Sequence, residues 1–321
     1  DPVEVQETHY TVVDTPEALD ALARELESSR TFAFDTETTG LNTMVDDLVG
    51  LSFSNAPGRG WYVPVGHVEG KQLPLDDALQ RLRPILERED IAKVAHNANF
   101  DMTMLHRYGV QVNNLAFDTM LAAHLAGRKS IGLKALALDC FHEEMTPITK
   151  LVGTGKKQVT MAQVPIDKAS DYASADADFT LRLRGALSEE LHTKDARGVF
   201  ESLEMPLMPV LVRMQLNGVT LDQELLSEMS SELAERVSAI ETGMYELVGH
   251  EFNLNSSQQL GDVLFNELRL PPTKRTKKGY STDASALDGL KEHLNREDTD
   301  DVDPRAIDVL DQVLEYRQLT K

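Results

Sequence analysis

Thr31-Phe32-Ala33-Phe34-Asp35-Thr36-Glu37-Thr38-Thr39-Gly40 reads as a strand that ends in chemistry. Side chains two apart in a strand share a face, so Asp35 and Glu37 project together from a run that is otherwise apolar. Two neighbouring carboxylates on a half-buried sheet repel each other and are costly to desolvate. A bound divalent cation removes both costs, and an all-oxygen ligand set suits Mg²⁺ or Mn²⁺. The plain alternative is a pair of exposed acids on an edge strand, and the D-x-E pattern by itself does not choose.

The flanking sequence predicts an α/β domain. Residues 10–13 read as a short strand, and Thr15-Pro16 supplies an N-cap with proline in the first helical turn. Leu19, Leu22 and Leu26 form the buried stripe of that helix. Residues 31–38, 48–54 and 61–65 read as three strands whose short connections, rich in Gly, Asn, Asp and Pro, favour an antiparallel meander. Apolar runs at 91–95 and 115–117 then alternate with helices at 76–89, 100–108 and 118–126, as expected for a sheet covered by helices. Residues 133–141 are an apolar helical run holding Cys140, which reads as core, and 166–192 form one long helix.

Past residue 195 the strands stop. A helix is predicted over 200–217, bent at Pro206 and Pro209, and Gly218 ends it. The next helix, 222–249, is amphipathic, with apolar positions at 225, 229, 233, 237, 240, 244 and 247. A short helix at 258–268, a basic loop (Lys274-Arg275-Thr276-Lys277-Lys278-Gly279), an acidic loop at 297–303 and a last helix at 305–321 complete the chain. The expected division is therefore an α/β domain over 1–195 and an all-α segment over 196–321.

Two further segments carry functional side chains. Val94-Ala95-His96-Asn97-Ala98-Asn99-Phe100-Asp101 runs from a strand into a helix start. Asp101 thus lies near a strand's C-terminal end, where α/β folds place ligand sites; taken alone it is equally a first-turn helix charge. In Tyr172-Ala173-Ser174-Ala175-Asp176 the phenol and the carboxylate are four apart on a helix and share a face. Asp178, some 200° around from Asp176, reads as surface. Together, three separated segments supply four carboxylates and a tyrosine, a set suited to phosphodiester hydrolysis by two cations about 3.5–4 Å apart.

Composition bounds the rest. With 41% hydrophobic and 26% charged residues the chain is an ordinary globular one, and no apolar run approaches the roughly 18 residues that span a membrane. The start, Asp1-Pro2-Val3-Glu4, has neither the basic nor the apolar region of a signal peptide and no initiator Met, which suggests a trimmed fragment. One cysteine cannot form an internal disulfide, so a reducing, cytoplasmic setting is expected. The net charge of −21 argues against non-specific attraction to a polyanion, and the excess is not confined to a tail: 30 acids against 19 bases over 1–195, and 23 against 13 over 196–321. Any nucleic-acid reading must rest on bound cations and local bases such as Lys150, Lys156 and Lys157, or on a missing part of the molecule.

The DTE…NxxFD…YxxxD set resembles the 3′→5′ proofreading exonuclease domain of A-family DNA polymerases of the bacterial DNA polymerase I, or Klenow, type. The resemblance implies a ribonuclease H-like fold with Mg²⁺ as cofactor, two ions that Mn²⁺ can replace. It implies that Asp35, Glu37 and Asp176 hold the first metal, that Asp35 bridges to the second, and that Asp101 supports the second through water. Tyr172, with Glu37, would orient the attacking water. Thr36, Thr38, Leu41 and Asn97 fall where the family contacts substrate, Leu41 as a wedge against the terminal base. Phe100 stands where many bacterial members have Tyr, a change expected to be neutral.

The resemblance continues through Leu203-Glu204-Met205-Pro206-Leu207, Asn217-Gly218-Val219, residues 252–260, Tyr280-Ser281-Thr282-Asp283 and Leu314-Glu315-Tyr316-Arg317. These look like the opening of the family's polymerase domain, a truncated thumb in which Lys274, Arg275, Lys277 and Lys278 would touch duplex phosphates. With palm and fingers missing from the residues present, no polymerisation is expected from them. The implied partner is DNA, bound through a single-stranded 3′ end by a monomer. A free-standing exoribonuclease of the ribonuclease D type shares the same five residues but lacks the thumb-like segments, and an idle binding domain would have lost the carboxylates.

Overall fold

The computed structural model describes residues 8–276, 279–296 and 302–321, which fall into two compact units, Asp1–Gly218 and Val219–Lys321. In the first unit a six-stranded mixed sheet has the order β1-β4-β3-β2-β5-β6. Its strands are β1 (His9–Val12), β2 (Thr31–Thr38), β3 (Leu48–Ser54), β4 (Arg59–Pro64), β5 (Ala92–Ala95) and β6 (Leu115–Asp118). β2, β3 and β4 form the expected antiparallel meander, while β1 pairs parallel with β4, and β5 and β6 extend the sheet in parallel from β2.

Period-two alternation along β2 sorts the two faces. Phe32 and Phe34 point to one side and pack with Leu19, Leu22 and Leu26 of α1 (Pro16–Ser28), Leu79 and Leu82 of α2 (Leu75–Leu86), and Met104 and Leu105 of α3 (Ala98–Arg107). Each fully buried leucine there contributes about 1.5–3 kcal/mol. Thr15 caps α1 as its sequence predicts, accepting from the Ala18 N–H at 3.2 Å. Ala33 points to the other side, which is covered by α4 (Thr119–Leu125), α5 (Leu133–Phe141) and the 28-residue α7 (Ile166–Thr193), the single turn α6 (Thr149–Val152) lying between the last two. Asp35 and Glu37 follow Ala33 on the α7 side.

α7 presents small buried residues, Ala169, Ser170, Ala173, Ser174 and Ala177, to the sheet. A side chain at Gly60 of β4 would put its Cβ 2.7 Å from Ser174 Cβ, so the glycine is what permits this close approach. The long helix thereby comes down onto β2, β3 and β4 with Tyr172 and Asp176 over the end of β2.

Asp178 is not on the surface as its helical angle suggested. It is fully buried, accepting from Tyr10 Oη at 3.0 Å and from the Gly58 N–H at 2.9 Å, and so ties α7 to β1 and to the turn before β4. The first unit also runs past the expected limit near 195. After the turn α8 (Arg197–Val199), residues Phe200–Glu204 form a π-helical stretch leading into α9 (Met205–Asn217). Met208 and Val212 of α9 join the same core as α3, so the strands stop at 195 but the core does not.

The second unit is helical, with α10 (Gln223–Val248), α11 (Ser257–Gly261), α12 (Ala284–Arg296) and α13 (Ala306–Leu319) around a core that includes Met244, Leu260, Leu287 and Leu310. Val237, Ile240, Met244 and Leu247 of α10 pack on it, whereas Leu225, Met229 and Leu233 of the predicted stripe are exposed. The basic loop is a hairpin, β7 (Arg275–Thr276) with β8 (Gly279–Tyr280). Lys274 and Arg275 are exposed on it, while Lys277 and Lys278 lie outside the described residues, as do residues 297–301 of the acidic loop.

Candidate active site

Asp35 and Glu37 on β2 and Asp176 on α7 meet as the two periodicities require. One carboxylate oxygen from each lies within 4.8 Å of the others, a grouping able to hold a metal ion. Glu37 and Asp176 are buried and Asp35 partly so. Asp101, 2% exposed in the first turn of α3, sits behind them. Its Oδ1 accepts from both the Thr36 N–H (2.9 Å) and the Thr36 hydroxyl (2.6 Å). Thr36, between the two β2 carboxylates, thus faces α3 with its hydroxyl committed to Asp101.

The electrostatics describe a site short of positive charge. Burial, then the charges of Asp101, Glu37 and Asp176, pushes the Asp35 carboxyl well above the usual carboxylate range. Glu37 is raised by burial and by Asp176. Burial raises Asp101 to about 7 even though Thr36 pulls the other way. Asp176 is raised by burial, against the opposing effect of Lys134. Four carboxylates of this kind cannot all ionise cheaply by themselves, and an oxygen-only donor set that is buried and crowded fits a hard divalent cation. Tyr172, partly buried one turn before Asp176, is raised by desolvation and by the Asp176 charge, so its phenol stays protonated and can only donate or accept a hydrogen bond.

The other residues singled out in the sequence surround this group. Thr38 donates to the Gly40 carbonyl at 2.6 Å, turning the chain into a loop where Leu41 is 91% exposed. That loop is braced by Asn42 N–H to Asp46 (2.7 Å), Asp47 N–H to Thr39 (2.9 Å) and Arg107 to the Thr43 carbonyl (2.7 Å). Asn97 is exposed in a left-handed conformation, φ 66°, at the N-cap of α3. A non-glycine residue held there costs about 1–3 kcal/mol and marks a constrained position. Lys150 lines a cavity of about 300 Å³ beside Tyr172 and Asp176, together with Met145 and Lys168. Lys156 and Lys157 are exposed on a short 3₁₀ turn.

Sequence reasoning missed four contributors. Asp118, buried at the end of β6, accepts from the N–H groups of Ala98 (2.7 Å), Met120 (2.8 Å) and Leu121 (3.1 Å), fixing the starts of both α3 and α4. It thereby sets where Asp101 sits. Met44 and Val45 are exposed apolar neighbours of Leu41. Lys134, the second residue of α5, ion-pairs with Asp176 Oδ1 and places its Nζ 4.3 Å from the centre of the Tyr172 ring. Its signal in the sequence is faint: a lone cation in the apolar run Leu133-Lys134-Ala135-Leu136-Ala137-Leu138.

Comparison with known proteins shows the family of each part of the chain. Residues 10–192 match the family model described as 3′-5′ exonuclease, and residues 223–321 match DNA polymerase family A. DNA polymerase I of Chloroflexus aurantiacus is 40% identical over 97% of this chain and 32% of that protein. DNA polymerase I of Rhizobium leguminosarum is 37% identical over 88% of this chain and 30% of its own length. The chain thus spans about a third of the curated relatives it matches. A structure described as the POL domain of Pol1 from M. smegmatis, in complex with DNA primer-template and dNTP, aligns with TM-score 0.69 at 26% identity, covering 97% of this chain and 48% of that one. NrnC of Brucella melitensis, at 21% identity and TM-score 0.50 over 66% of this chain and 95% of its own, shares the fold. The mixed sheet is therefore of the ribonuclease H-like kind. With a family match across more than half its length, the chain belongs to the 3′-5′ exonuclease family and runs on into DNA polymerase family A.

Proposed function

We propose that the first unit hydrolyses 3′-terminal deoxynucleotides from single-stranded or frayed DNA, as the proofreading part of a DNA polymerase I, with two Mg²⁺ ions as cofactor. The observation that carries this reading is the convergence of Asp35, Glu37 and Asp176 within 4.8 Å, with Asp101 and Tyr172 beside them, in a chain of the exonuclease family. Bound divalent ions would supply Lewis-acid stabilisation of the attacking and leaving oxygens and a more acidic water.

The protein's own part is placement. Asp35, Glu37 and Asp176 would hold the ions, and Thr36 keeps Asp101 aimed at the same place. The Tyr172 phenol, protonated throughout the working pH range, orients the attacking water rather than deprotonating it. Leu41, with Met44 and Val45 on the same braced loop, offers apolar surface for a terminal base, and Asn97 an exposed amide. The cavity lined by Lys150 and Lys168 gives the adjoining phosphates cationic neighbours. In the second unit, Lys274 and Arg275 would contact duplex phosphates. The protein would work as a monomer, in a reducing cytoplasm that suits the lone, partly buried Cys140.

The test is Mg²⁺-dependent digestion of labelled single-stranded DNA beside matched RNA and duplex. Single-stranded DNA should be shortened from its 3′ end to 5′-monophosphates fastest of the three. Asp35→Ala should lose more than about 10³-fold, the scale of a missing charge-stabilising group, while keeping its fold. Near-normal digestion by Asp35→Ala combined with Glu37→Ala would place the chemistry elsewhere, and a preference for RNA would favour the ribonuclease D type of substrate.

A further inference from the structure

Among the described residues, Lys134 is the one cation in ion-pair contact with any of the four carboxylates. Its place is set by the backbone. Leu133, Leu136 and Ala137 of α5 are buried in one cluster with Phe179 and Leu183 of α7, which fixes the second residue of α5 beside Asp176 and Tyr172. The aliphatic stem is partly covered and the ammonium lies between the Asp176 oxygen and the face of the Tyr172 ring. A cation over an aromatic face is favourable in its own right, so the lysine holds both α7 side chains of the site in one grip.

The oxygen that Lys134 grips belongs to the carboxylate that must also complete the metal-holding group. Two cations crowded on one carboxylate repel, and the repulsion is strong at the reduced effective dielectric of a partly buried site. Lysine and divalent ion are therefore competing ligands of Asp176. Lys134 also lowers the proton affinity of Asp35 and Glu37 as well as that of Asp176, so its charge is felt across the group.

We propose that Lys134 is a built-in counter-cation of the carboxylate cluster, a positioning residue that keeps Asp176 and Tyr172 in place while no divalent ion is bound and weakens metal affinity by competing for Asp176. The proposal rests on the metal-dependent reading of this site. Its consequence is linkage: what stabilises the metal-free site must oppose metal binding by the same factor.

The experiment compares wild type with Lys134→Met, which keeps an unbranched side chain one atom shorter and removes its charge, and with Lys134→Arg, which keeps the charge. Two quantities are measured at pH 8: the melting temperature in EDTA, and Mn²⁺ affinity by calorimetry. Lys134→Met should melt at least about 3 °C lower in EDTA, on the scale of one lost partly buried ion pair. It should also bind Mn²⁺ about tenfold tighter, within the usual range of coupling between sites. Lys134→Arg should return both quantities toward wild type, which a mere loss of packing at position 134 would not predict. Unchanged melting with unchanged affinity, or weaker Mn²⁺ binding in Lys134→Met, overturns the proposal. Asp35→Ala is run alongside. If it binds Mn²⁺ as wild type does, the metal reading of the cluster fails, and the EDTA melting comparison, which needs no metal, still decides for or against Lys134.

Discussion

Replacing Asp101 by asparagine should make the metal-free protein more stable at pH 8 and nuclease-dead at the same time. In the structure the Asp101 carboxyl is raised from its ordinary 3.8 to about 7, chiefly by burial. A carboxyl whose folded pKa lies above its unfolded one favours the folded state at low pH, and this contribution is lost as pH rises through about 7. A rise of about three, at 1.36 kcal/mol per pH unit, comes to about 4 kcal/mol, and sharing the strain with the neighbouring carboxylates brings the expected gain to about 2–4 kcal/mol. The asparagine would still accept both Thr36 hydrogen bonds through its carbonyl, so Asp101→Asn removes charge and little else. At about 2–4 °C per kcal/mol for a unit of this size, the melting temperature in EDTA should rise roughly 4–16 °C at pH 8, and only about a quarter as much at pH 4.5, just above the ordinary carboxyl value. Trp61, the one tryptophan, is buried on β4 of the first unit, so its fluorescence reports the unfolding of that unit. Saturating Mg²⁺ should close the gap, because the wild type gains more from the ion. Equal stability of the two proteins at pH 8 in EDTA, or a gap of the same size at pH 4.5, would refute the account of Asp101 as a carboxylate held at a cost for its metal.

Two more expectations follow from the same site. Tyr172→Phe removes a hydroxyl and no charge, so Mn²⁺ affinity should survive while the digestion rate drops about 10–10³-fold, the range for a water-orienting group; a large loss of affinity by calorimetry would contradict that role. Measured in Ca²⁺ to slow cleavage, affinity for single-stranded 3′ ends should rise sharply with the ion while duplex binding stays weak with a shallow salt slope. Tight duplex binding without metal and with a steep slope would reveal a basic surface that none of the named lysines accounts for.

The parts of the site that were legible are those set by local periodicity. Asp35 and Glu37 share a face because strands alternate, and Tyr172 and Asp176 because helices repeat every 3.6 residues. Asp101 was placed by the strand-to-helix transition, although α3 begins at Ala98, two residues earlier than the pattern suggested, and thereby puts Asn97 into its left-handed cap. What escaped depends on packing between distant segments. Asp178 looks like surface on any helical wheel that has one buried side, but Tyr10 and Gly58 cover a second side of α7. The extension of the first unit to Gly218 escaped for a related reason. The secondary structure changes near 195, yet Met208 and Val212 belong to the older core, and a helix does not announce which sheet it returns to.

Lys134 is the hardest case, since its partner lies 42 residues away on another helix, and a single lysine in an apolar run reads as one snorkelling to solvent. Its place also bears on how a chain of net charge −21 can approach DNA. Fully ionised, the four carboxylates and Lys134 sum to −3, a centre that repels a phosphodiester. On the proposed two-ion reading, the added charge of +4 turns that centre to +1, matched to the single negative charge of the group to be cut. The sign reversal would be local, so the rest of the acidic surface could stay as it is, and attraction for a 3′ end would be switched on by the same ions that the proposed chemistry requires. A site arranged in this way should select for ends that can be threaded into it and ignore duplex backbone, which is the discrimination an enzyme removing terminal nucleotides needs.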